Sequence, residues 1–207
     1  MGLDYSLCLI TRRENAQHVL AHLSTLIDLD SQARIAKLEW SPVTEALRNT
    51  IIGTNETDAR GIAGLELDEY ERDNSYCFSL LIQLEPEMES HLGDHKFSCF
   101  DRRDRFGCMW TSFYAGSEYL FVEMTAATTG MSLVLQYSDA IHNCWRNFAR
   151  QTDAIVAYVD LEDDCAIQLF PNSGDVILPD DDTLAYKNDY HASVDLKAKY
   201  IRNANGL

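Results

Sequence analysis

Positive charge is what this sequence has least of for its size: 17 Lys and Arg stand against 33 Asp and Glu, a formal net charge of −16. Such a chain repels a polyanion unless its few cations gather on one face, so nucleic-acid binding by phosphate neutralisation is not expected. The one local gathering, Arg102, Arg103 and Arg105, is interleaved with Asp101 and Asp104 and reads as a solvated turn. Long apolar runs are also missing. None approaches the roughly 18 residues of a membrane-spanning helix, so no membrane association is predicted. The six cysteines, at 8, 77, 99, 108, 144 and 165, include no C-x-x-C pair, and most lie inside apolar runs. Buried, reduced thiols acting as small hydrophobes are expected, and with them a cytoplasmic address. The opening MGLDYSLCLITRR fits that address, because Asp4 precedes the short apolar run and Arg12-Arg13 follow it, the reverse of a secretory signal. Gly2 with Ser6 touches the myristoylation pattern, which is short enough to match by chance.

Catalytic and cofactor signatures are absent as well. There is no G-x-x-x-x-G-K-[ST] and no G-x-G-x-x-G, and Gly61 and Gly64 lie among acids that would repel a phosphate. Ala115-Gly116-Ser117-Glu118-Tyr119 lacks the second glycine of a nucleophile elbow. Cys144 and His142 are two apart on a helix and cannot face each other. No acyl-transfer site is visible, and no cofactor is predicted. At 207 residues the chain can bury a sizeable core without metal or disulfide staples.

What is present reads most clearly between Tyr119 and Asp160. YLFVEM and MSLVLQYS are two apolar runs of strand length around the turn-rich Thr125 to Gly130, where Thr125, Thr128, Thr129 and Gly130 read as a hairpin turn. Ser138 is a good N-cap and Asp139 an acid for the first turn; Ile141, Cys144, Trp145 and Phe148 then recur at i, i+3, i+4 and i+7. That spacing predicts an amphipathic helix covering one face of a sheet. Ala154 to Val159 follows as an inner strand, with Cys165 to Phe170 its hairpin partner.

Along the rest of the chain, Asp4 to Thr11 reads as a first strand and Ala16 to Ile27 as a first helix. Ala33 to Trp40 reads as a strand, and Val43 to Asn49 as a short helix opened by Pro42. Ser75 to Leu84 and Gly107 to Tyr114 are further strands, Lys96 to Phe100 a short one, and Ser193 to Arg202 a last peripheral helix. Strands adjacent in sequence with two main helices predict an α+β fold, a mostly antiparallel sheet with both helices on one face. One domain over 1–207 is expected, with an irregular acidic connection at 53–75 and a peripheral tail at 171–207. Fused halves at about 1–52 and 76–170 are the alternative. Their only trace is an echo between Ser6-Leu7-Cys8-Leu9 and Ser132-Leu133-Val134-Leu135.

Two sets of residues suggest metal ligands. His18 and His22 are four apart on the first helix, but no glutamate follows His18 and no third ligand is near, so polar-face histidines are the plainer reading. Glu87, Glu89, His91, Asp94 and His95 pack five oxygen and nitrogen donors into nine residues, with Gly93 suggesting a loop. They are the best metal candidates in the chain, against the plainer account of a solvated turn.

At Asp4-Tyr5-Ser6 and at TAATTGMSLVLQYSDAI, Thr125 to Ile141, the chain resembles a group of uncharacterised bacterial proteins of unknown function. Those proteins begin with a DYS strand followed by a helix and carry a Thr-Thr-x-Met-Ser strand before a capped helix. The resemblance implies a compact bacterial domain and no mechanism. Charge, the missing catalytic signatures and the fold class together predict an acidic intracellular interaction module that masks a basic protein, as an immunity protein or antitoxin does. The alternative is a small-ligand-binding protein or metal-dependent enzyme with a site near residues 87–95. A homodimer through an exposed sheet edge is a third reading.

Overall fold

The computed structural model describes residues 3–26, 38–40, 47–49, 75–80, 82, 84–92, 106–162, 165–172, 174–179 and 190–207. Its main feature is a seven-stranded antiparallel sheet. In spatial order the strands are β4 (Ser75–Leu80), β5 (Phe106–Ala115), β6 (Tyr119–Ala126), β1 (Ser6–Arg12), β7 (Ala154–Asp160), β8 (Ala166–Phe170) and β9 (Gly174–Asp175). A separate ribbon pairs β2 (Leu38–Trp40) with β3 (Leu47–Asn49). The helices are α1 (Ala16–Leu26), α2 (Pro86–Leu92), α3 (Thr129–Tyr137), α4 (Asp139–Gln151) and α5 (Tyr190–Ala204). The α+β class and the antiparallel sheet are as the sequence predicts.

β1 lies at the centre because neither of its faces is polar enough for solvent; Ser6 through Thr11 are all buried. Successive residues of a strand point to opposite faces, so β1 divides the core in two. Leu7 and Leu9 join Leu120, Val122, Ala157 and Val159 on the first face, and Cys8 and Ile10 join Tyr119, Phe121, Val156 and Tyr158 on the second. The first face is covered by α1 through Val19 and Leu23, and by α4 through Ile141, Trp145 and Phe148. The Ser138 hydroxyl accepts from the Ile141 N–H at 3.2 Å, capping α4 as its sequence predicts. Trp145 ties the helix to the sheet: its ring lies 4.8 Å from that of Phe148, and its indole N–H donates to the Cys8 carbonyl at 2.9 Å. Cys144, placed in the stripe by its spacing, sits half-buried at the stripe's edge.

Three expectations need correction. MSLVLQYS is not a strand: residues 129–137 form α3, and the turn before it is a helix start, with the Thr128 hydroxyl accepting from the Met131 N–H at 3.2 Å. A short apolar run suits a strand or a buried helix equally, and here the cap and the burial of Met131, Val134 and Leu135 at helical spacing decide for the helix. The echo of Ser6 to Leu9 in Ser132 to Leu135 therefore joins a strand to a helix. Secondly, Leu47–Asn49, read within a short helix, is β3; pairing with Leu38–Trp40 overrides a weak local preference. Thirdly, Cys165 is exposed. Lys96 to Phe100, the arginine cluster and 53–74 lie outside the described residues.

The C-terminal helix, read as peripheral, is a layer of the fold. α5 lies on the second face of the sheet through Val194, Ala198 and Ile201, the last wholly buried. The sequence shows that stripe but not its burial, and Asp195 beside it is buried as well. Its carboxylate is buried because it receives the backbone N–H groups of Ser117, Glu118 and Tyr119 at the β5–β6 turn.

Candidate functional site

On the first-face side, three helix ends meet: the start of α2, the end of α3 and the start of α4. Ser138 joins the last two, closing α3 with its backbone N–H on the Val134 carbonyl at 3.0 Å and opening α4 with its hydroxyl. That hydroxyl donates to Glu85 Oε2 at 2.8 Å, and Glu85 Oε1 accepts from the Ala140 N–H. Glu85 thus fills donors that the first turn of α4 leaves open and ties the approach to α2 against that turn. Burial alone would raise its carboxyl. The hydrogen bonds from its own backbone N–H, Ser138 and Ala140, with His142 nearby, outweigh that and hold it below the ordinary carboxylate value. His142 Nε2 lies 2.7 Å from the Leu135 carbonyl, an acceptor only, so this nitrogen carries the proton.

Between these ends lies an open cleft of about 650 Å³, lined by Glu85, Glu87, Met88, Leu133, Tyr137 and Asp139. α3 produces half of its wall. Met131, Val134 and Leu135 turn into the core, which leaves Leu133 and Tyr137, four apart, outward; Tyr137 is 63% exposed, unusual for a large ring. Met88 gives the floor an apolar patch. Glu87 and Asp139 are exposed acids, and with Glu85 they set three carboxylates around an apolar strip. Among its described lining residues there is no thiol, imidazole or amine. The arrangement is therefore suited to binding: Leu133, Met88 and the Tyr137 ring offer an apolar strip, and the acids beside it offer negative charge.

Of the metal candidates, Glu87 is exposed at this cleft. Glu89 and His91 lie on α2, where Pro86 and Glu87 suit a helix start and the sequence allows a helical turn over Glu87 to Leu92. Asp94 and His95 lie outside the described residues. Among the described residues no three His, Cys, Asp or Glu side chains form a group able to hold a metal ion. His18 is exposed and His22 half-buried on α1. Leu133, Tyr137, Asp139 and Glu85 were not predicted as site residues, because Leu133 and Tyr137 were read within a strand. The usable signal was Thr128 as a cap three residues before Met131, with Val134 and Leu135 at helical spacing.

Comparison with family models, with curated proteins and with solved structures gives no match to this chain.

Proposed function

We propose that this protein is an acidic intracellular interaction module that masks a basic protein partner, in the manner of an immunity protein or antitoxin, and that the cleft takes a Lys or Arg side chain of that partner. The observation that carries the reading is the cleft itself. Three carboxylates surround an apolar strip that ends in an exposed tyrosine, on a chain of net charge −16. Long-range attraction steers a basic partner toward such a surface, and the cleft supplies the local fit that general acidity lacks.

The test is capture from the native host at low ionic strength, with the Glu87→Lys/Asp139→Lys variant as a parallel bait. A basic protein kept by the wild type, released by moderate salt and not kept by the variant is the expected result. If the folded wild type captures no such protein, the masking role fails. The same cleft supports a second reading, a small-ligand binder, since its volume is in the range of small-molecule sites. A metabolite screen and metal analysis of untagged protein distinguish that role, and light scattering tests for a homodimer.

A further inference from the structure

Ser138 is the single residue between α3 and α4, and its backbone is extended, with φ −80° and ψ 117°. Every polar group it carries is used. Its N–H donates to the Val134 carbonyl, its carbonyl accepts from the His142 N–H, and its hydroxyl accepts from the Ile141 N–H and donates to Glu85. The residues on either side of it, Tyr137 and Asp139, are both exposed and both line the cleft. Two peptide steps keep their Cα atoms within about 7 Å of each other. One pinned residue therefore presents an aromatic ring and a carboxylate together, on backbone that is already ordered before anything binds.

The cleft's acids are not equivalent. Glu85 accepts from the Ser138 hydroxyl and from the Ala140 N–H, so its charge is a fixed part of the wall. The Asp139 carboxylate has no hydrogen-bond or ion-pair partner among the described residues. Leu133 and Met88 make the neighbouring lining apolar. The two basic head groups meet such a wall differently. An ammonium is a compact, strongly hydrated charge, and an apolar strip returns nothing for the water it sheds. A guanidinium is planar and more weakly hydrated, stacks on an aromatic face, and donates two parallel N–H groups to one carboxylate. An exposed ring two residues from an unpartnered carboxylate suits the second head group better than the first.

We propose that the cleft selects arginine over lysine on its basic partner, with the Tyr137 ring as the stacking face for the guanidinium plane and Asp139 as the acceptor of its paired N–H groups. The selection rests on the masking role proposed for the cleft, and adds to it the residue that chooses the head group. Tyr137 is that residue, because the acids attract either cation whereas the ring distinguishes a flat head group from a round one.

Calorimetric titration with tetra-arginine and tetra-lysine peptides tests this, because the two carry the same charge and differ in head group. The wild type should bind tetra-arginine about fivefold tighter. Tyr137→Leu, which keeps apolar bulk at an exposed position, should bring the two affinities to within about twofold, mainly by weakening tetra-arginine, while Tyr137→Phe keeps the preference. Asp139→Asn should weaken both peptides, and tetra-arginine more. Equal affinity of the wild type for the two peptides would leave the acidic cleft standing and overturn the selection. A preference that Tyr137→Leu leaves intact would overturn it too, since it would then come from the peptides and not from the ring. No saturable binding of either peptide would bring down the masking role itself, and the selection with it.

Discussion

Replacing Asp195 by alanine should cost this fold about 3 kcal/mol, although the residue is a surface-type acid on a C-terminal helix. Its carboxylate accepts from the Ser117 N–H at 2.9 Å, the Glu118 and Tyr119 N–H groups at 3.1 Å each, and the Ser117 hydroxyl. Three successive amides pointing at one spot form a small region of positive potential, which the acid neutralises. Hydrogen bonds to a charged acceptor are worth about 1.5–3 kcal/mol each, but they are not additive. Ser117 and Glu118 are exposed, so water recovers their N–H groups once the acid is gone, whereas the Tyr119 amide is buried and stays unpaired. Asp195→Asn keeps one acceptor oxygen but turns an NH₂ toward donors, for a loss of about 2 kcal/mol. Urea unfolding measures both, and the midpoint should fall with an unchanged slope. For a chain of this size the alanine variant should melt about 6–12 °C lower. A loss below about 1 kcal/mol in the alanine variant, or an asparagine variant as stable as the wild type, would refute the clamp.

Glu123→Gln should stabilise the protein at neutral pH. Burial raises the native carboxyl, Asp160 adds to that, and Lys197 and Tyr114 only partly offset it. A raised native value means that the favourable contribution is complete below the ordinary glutamate value of about 4.3 and is lost as pH rises through the native one. The variant's advantage in urea unfolding should therefore shrink in acid, and an advantage that grows there would reverse the reasoning. Glu85→Gln has the opposite sign. Its lowered carboxyl contributes above the ordinary value and loses that contribution as pH falls through the native one. About 1 kcal/mol should be lost at pH 7, discounted for partial exposure, and none in acid; a loss independent of pH would count against the capping role. Trp145→Ala should cost about 3–5 kcal/mol in the same assay. A loss near 1 kcal/mol would show that the ring is not the main tie between α4 and the sheet.

How much of this was readable in the residues depended on whether a segment's partners were local. α4 was legible to its first residue, because Ser138, Asp139 and the stripe from Ile141 to Phe148 are signals within one helix. β1, β7 and β8 were legible because continuous apolar runs bounded by polar turns have few other uses. α3 failed because MSLVLQYS has a strand's length and a helix's spacing at once, and only packing against the sheet decides. The cleft failed with it, since Leu133 and Tyr137 share a side only once the segment is helical. α5 was visible as a helix, but its position was hidden by Asp195, whose burial depends on amides 76 to 78 residues away. Cys8, Glu123 and Tyr158 likewise come together only through strand register, which no local signal shows.

The cleft is tested most directly by calorimetric titration of a short Lys- and Arg-rich peptide into the wild type and into a Glu87→Lys/Asp139→Lys/Tyr137→Ala variant, at two ionic strengths. Saturable binding to the wild type is predicted, weaker in added salt and about tenfold or more weaker in the variant, whose circular dichroism should be unchanged. Equal binding by the two proteins would contradict the account, because it would show that net charge alone, and not the cleft, draws basic chains to this surface.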